Sequence, residues 1–128
     1  MGEYGYRKSV AGAFDAVRER TEAELQREGF GIVARIDMQE TLKKKLDVEI
    51  PKYLILGVCN PPFAKKALEA EREVGLFLPC NVIVYEDGAS VTVSAVRPTV
   101  MLKSIGNSEL DGVAKHIEAL LKRVVDRV

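Results

Sequence analysis

Two short phrases hold most of the chemistry-bearing residues of this sequence. Cys59-Asn60-Pro61-Pro62-Phe63 closes one apolar run, and Leu78-Pro79-Cys80-Asn81 opens another. Asparagine followed by proline has the composition of a helix start. The amide oxygen accepts from orphan backbone N–H groups, and proline lacks a donor where none is needed. A helix reached directly from a strand also presents N–H groups that can hold an anion or a polar ligand. If the two phrases meet in space, Cys59, Asn60, Pro61, Phe63, Pro79, Cys80 and Asn81 line a small ligand pocket. If they do not, prolines and asparagines simply punctuate secondary structure. The readings differ in a checkable way, because a shared pocket needs the Asn60 and Asn81 side chains directed into one cavity.

The thiols allow a second chemistry. Cys59 and Cys80 could serve as redox groups, or as soft metal ligands together with His116. No C-x-x-C, no H-x-x-x-H and no clustered ligand spacing accompanies them, so no metal site is assigned and no cofactor is expected. A lone histidine and no nucleophile elbow leave a serine-type triad without support. The glycines form neither G-x-G-x-x-G nor a P-loop pattern. No residue is assigned a catalytic role, and an acid–base enzyme ranks behind both a ligand-binding domain and a thiol protein.

These residues are positioned by a regular order of elements. Tyr4–Ser9 reads as a strand and Val10–Glu28 as a helix whose buried stripe is Phe14, Val17, Thr21 and Leu25, stopped by Gly29. Ile32–Ile36 follows as a strand with Ile32, Ala34 and Ile36 on the buried side and Arg35 opposite. Asp37 opens a short helix that ends in the solvated run Lys43-Lys44-Lys45. Tyr53–Cys59 is a strand, Phe63–Ala70 a short helix, and Asn81–Glu86 and Ala89–Val96 are strands joined by a hairpin turn at Asp87-Gly88. A final helix spans Glu109–Val128, capped by Ser108. The hairpin sets Cys80, Val82, Val84, Val91, Val93 and Ala95 on one face, expected under the helices. The other face carries Asn81, Ile83 and Tyr85, with Tyr53 and Ile55 as candidate neighbours. A half-apolar sheet face of this kind is covered by another chain or lines a pocket.

Composition bounds the rest. At 128 residues and 47% hydrophobic, the chain suits one domain, 1–128, with a core that needs neither metal nor disulfide. Nineteen basic residues balance nineteen acidic ones, and aromatics are 6% with no Trp, which argues against nucleic acid as a partner. The longest uncharged runs, Tyr53–Ala64 and Val74–Tyr85, are too short to cross a bilayer and contain proline, so no membrane partner is expected. The first residues do not form a signal peptide, which makes the cytoplasm the expected compartment and reduced thiols the expected state.

Gly57-Val58-Cys59-Asn60-Pro61 with Ala67-Leu68, and Gly75 to Val82 with Tyr85-Glu86, resemble the family called domain of unknown function 302. The resemblance covers nearly the whole chain. It implies an α+β fold of β-α-β4-α order, with two long helices on one face of a largely antiparallel curved sheet, in the TATA-binding-protein-like class. It further implies a homodimer, and it supplies no reaction, substrate or cofactor. The leading expectation is a dimeric protein that binds a small molecule near Asn60 and Asn81. The alternative is a redox or metal-binding protein using Cys59 and Cys80.

Overall fold

Alternation of apolar and polar residues at period two builds five strands, and two long stripes at helical spacing cover one side of them. The structure, a computed structural model, describes residues 3–128. The strands are β1 (Gly5–Val10), β2 (Gly31–Asp37), β3 (Tyr53–Cys59), β4 (Cys80–Asp87) and β5 (Ser90–Val96). They form one antiparallel sheet in the order β1-β5-β4-β3-β2. The helices are α1 (Phe14–Arg27), α2 (Met38–Leu46), α3 (Pro61–Ala70), α4 (Pro98–Met101) and α5 (Glu109–Arg127), with short 3₁₀ turns at Arg72–Phe77 and Leu102–Ile105. This is the α+β, β-α-β4-α arrangement expected from the sequence, with the two long helices α1 and α5 on one face.

The core lies between that face and those helices. Leu56, Val82, Val84 and Val93 from the sheet are fully buried against Val17 and Leu25 of α1 and Ile117 and Leu121 of α5. Each such side chain contributes about 1.5–3 kcal/mol relative to exposure. Cys80 and Ala95 belong to the same layer, so the facing derived from the hairpin holds.

Several local expectations are corrected. The hairpin pairs Asp87 with Ser90 and Val84 with Val93, so the turn is Gly88-Ala89 and the register is two residues from that expected. Gly88 takes the positive φ of the turn (62°), and the Ser90 hydroxyl donates to the Asp87 carbonyl at 3.0 Å. A shift of two leaves every side chain on its own face, which is why the facing survived. Strand β2 breaks that parity. Its register with β3 slips between Ile32 and Ala34, so Val33 bulges and the faces exchange. Ile32 stays on the helix side opposite Val58, but Ala34 and Ile36 then lie on the open face. Arg35 instead faces the helices, where it meets Glu22 of α1 at 2.7 Å. Helix α1 begins at Phe14 rather than Val10, because Val10 still pairs with Val91 in the sheet. At α5, Ser108 makes no capping bond. The Asn107 side-chain Oδ1 accepts from Glu109 N–H at 3.0 Å, while its Nδ2 donates to the Ala70 carbonyl at 2.8 Å and ties the helix to the end of α3.

Candidate functional site

Strand β3 hands the chain directly to α3 at Asn60. Its backbone is extended (φ −105°, ψ 106°), and its Oδ1 accepts from Phe63 N–H at 3.3 Å while Pro61 takes the first helical position. Asn60 is therefore a cap of the kind its sequence context called for, worth about 1 kcal/mol. The cap turns Phe63 inward, where it is buried. The second phrase arrives from the other side, since Cys80 pairs with Val58 across the β3–β4 ladder.

The phrases thus meet, and together with Phe30, Val33 and Leu78 they surround a cavity of about 290 Å³. Cys59, Asn60, Phe63, Pro79 and Cys80 line it. Pro61 is exposed and stands outside the lining. Asn81 follows Cys80 in the strand and points to the opposite face, as period-two alternation requires. It lines a different hollow, so the two asparagines do not share a cavity and the pocket expected around both is corrected to one without Asn81. Pro79 closes one side of the first cavity by packing on Gly57, where an added Cβ would come 2.8 Å from the proline Cγ.

The second hollow, about 480 Å³, lies on the sheet face away from the helices. Cross-strand pairing arranges that face in rows. Tyr53, Tyr85 and Thr92 form one row, and Ile55, Ile83, Ser94 and Arg7 the next. Beyond them Gly57 pairs with Asn81, and Val96 with Gly5. The Tyr53 and Tyr85 rings stack with centroids 5.3 Å apart and planes 16° from parallel. Burial, then the neighbouring Tyr85 and Tyr4, push the Tyr53 hydroxyl above its ordinary pKa. Arg7 is the one charged side chain in the lining. The sequence pointed to the tyrosine–isoleucine half of this face. It missed Tyr4, Gly5 and Arg7, because β1 joins β5 through a pairing some ninety residues apart that no local signal announces.

A family model described as domain of unknown function DUF302 matches residues 6–128. The chain belongs to that family. The crystal structure of an uncharacterized conserved DUF302 protein from Bacillus stearothermophilus matches this fold with a TM-score of 0.92 at 30% identity. The match covers 98% of each chain. No curated protein matches. What the DUF302 fold does chemically must be read from its side chains.

In this DUF302 protein both cysteines are free. Cys80 is buried, and desolvation first, then the neighbouring Cys59, pushes its thiol up to about 11. Cys59 is half-buried at the cavity wall. Among the described residues no three His, Cys, Asp or Glu side chains gather as metal ligands, and no helix is long and apolar enough to cross a membrane. The most engaged buried carboxylate is Glu118, only 6% exposed. It accepts from Thr99 N–H at 3.0 Å, Thr99 Oγ1 at 2.6 Å and Arg97 Nε at 3.2 Å, and fastens α4 to α5. That cluster touches neither hollow and has the form of a structural clamp.

Proposed function

We propose that this DUF302 protein binds a small apolar molecule in the cavity where β3 passes into α3 and β4 begins. The supporting observation is the chemistry of the lining: Phe30, Val33, Phe63, Leu78 and Pro79 with two thiols around about 290 Å³. Ligand pockets run upward from roughly 300 Å³, and a dry cavity of about half that volume accepts benzene. A protonated Cys80 acts there as a polarizable apolar surface. Asn60 holds its carbonyl oxygen in the helix cap, and among the described residues nothing accepts from its amide N–H₂, which is left as a donor for orienting a ligand. Binding of this kind requires no catalytic group.

The thiol-redox alternative asks for an accessible thiolate, and the burial of Cys80 works against one. Isothermal titration calorimetry with indole as probe tests the binding reading. Saturable one-to-one binding is expected, and Ala64→Leu, which extends a side chain of the lining into the space, should abolish it. Absence of saturable binding, or the same affinity in Ala64→Leu, refutes the proposal.

Self-association as a homodimer is a second reading, and it concerns the other face. Ile36 is 45% exposed there in a row with Ile55 and Ile83, next to the stacked tyrosines. Light scattering at about twice the 14.1 kDa chain mass is its signature. A dimer through the open face and a ligand in the open-face hollow exclude each other, and the next experiment separates them.

A further inference from the structure

The geometry points to a second binding site, in the hollow of the open sheet face, for an aromatic carboxylate. Three features of the lining select that chemistry. The first is charge. Arg7 is the sole ionised side chain of the hollow, and among the described residues no carboxylate pairs with it and no side-chain hydrogen bond holds it. A guanidinium presents a planar fork that matches a carboxylate with two parallel N–H bonds.

The second feature is convergence. Gly5 lies beside Arg7 on β1, and a Cβ there would come 3.1 Å from Ser94 Oγ and 3.3 Å from an Arg7 guanidinium nitrogen. The hydroxyl and the guanidinium therefore border the same small space, which stays open because residue 5 has no side chain. Arg7 and Ser94 are also direct cross-strand partners, so the sheet fixes their spacing. Together they offer a charged donor and a neutral one to the two oxygens of a single carboxylate.

The third feature is the apolar body of the site. Ile83 pairs with Ser94 on the far side, and the Tyr53–Tyr85 stack closes the next row. Strands β1 and β4 are separated only by β5, so about 10 Å lies across the sheet between the backbones of Arg7 and Ile83, with Tyr85 one row further along. A two-ring aromatic acid spans that distance with its carboxylate on Arg7 and its rings over Ile83, their edge toward the tyrosine stack. A second copy of this chain seated hollow to hollow fits less well. It would add another guanidinium to the enclosed space and no carboxylate.

The test compares 2-naphthoate with its neutral counterpart 2-naphthylmethanol by isothermal titration calorimetry. Loss of a charge-assisted hydrogen bond at this site should weaken binding about tenfold to a hundredfold. Arg7→Gln should therefore weaken naphthoate by that factor and leave naphthylmethanol unchanged, and the wild type should prefer naphthoate over naphthylmethanol by a similar factor. Arg7 is exposed, so the variant should melt with the wild type. Ala64→Leu, in the other cavity, should not alter naphthoate affinity, which keeps this site's outcome separate from that of the indole site. Equal affinity for the acid and the alcohol overturns the proposal, as do unchanged naphthoate binding in Arg7→Gln and loss of naphthoate binding in Ala64→Leu. A dimer that excludes naphthoate, with no binding at concentrations where the protein is dimeric, also overturns it and assigns the face to a second copy.

Discussion

The same substitution, glycine to alanine, should have opposite signs at two positions of this fold. Gly57 is buried in the middle of the sheet, and an added methyl would meet the Pro79 ring at 2.8 Å and the Ala34 Cβ at 3.3 Å. Neither neighbour is the free end of a flexible chain, so the ring or the strand must shift. Overpacking of this kind costs about 1–3 kcal/mol, against roughly 0.4–1 kcal/mol recovered from a stiffer unfolded chain. The net expectation for Gly57→Ala is a loss of about 1–2 kcal/mol. Gly112 sits inside α5 with nothing within 4 Å of its added Cβ. There alanine supplies helix propensity without contact, and Gly112→Ala should gain about 0.5–1 kcal/mol. Urea unfolding followed by circular dichroism reads both, with unchanged m-values as the condition for comparing midpoints. Pro79 is a wall of the apolar cavity, so Gly57→Ala should weaken indole binding as well, while Gly112→Ala should not. A Gly57→Ala protein as stable as wild type, with indole affinity intact, would show that the proline–glycine contact does not set that wall.

Cys59 should react with iodoacetamide in the folded protein at neutral pH, whereas Cys80, with its thiol pushed up to about 11, should label only after unfolding. Mass-spectrometric mapping of a native time course checks this, and rapid labelling of Cys80 would restore the redox reading. Burial opposes ionisation of Glu118, but hydrogen bonds from Thr99 and Arg97 outweigh it and hold the carboxyl below its ordinary value of 4.5. A depressed folded pKa contributes stability that is complete above the unfolded value and is lost as pH falls through the folded one. Glu118→Gln should therefore cost about 1–2 kcal/mol near pH 7, and the difference should shrink below about pH 4.5. A constant difference in unfolding free energy down to pH 3 would refute that assignment.

Element type was legible wherever a local pattern carried it. The stripes of α1 and α5, the Asp37 and Asn60 caps and the buried valines of β4 and β5 each follow from residues within a few positions of one another. Errors arose where one residue changes parity or a distant one intervenes. The Val33 bulge cannot be read from Ile32-Val33-Ala34, because any of the three satisfies a strand, and it alone decides that Arg35 reaches Glu22. Ser108 has the composition of a cap, but Asn107 can also reach the Ala70 carbonyl, a contact available only after α3 and α5 pack. Nothing local marks the short α4, because Pro98 reads equally as a strand terminator.

The same reasoning explains why contiguity misled at the candidate site. Cys80 and Asn81 are neighbours in sequence, and their shared phrase joins them. A strand separates them instead, delivering Cys80 to the apolar cavity under α3 and Asn81 to the hollow that holds Arg7. One phrase therefore serves two chemically different spaces on opposite faces of β4. The apolar space takes its lining from β3, α3 and the start of β4, which are adjacent in the chain, so it could be assembled from local phrases. The charged space needs β1, which follows the last sheet strand in space but opens the chain. Its decisive residue, Arg7, becomes visible only once the register of β1 on β5 is known.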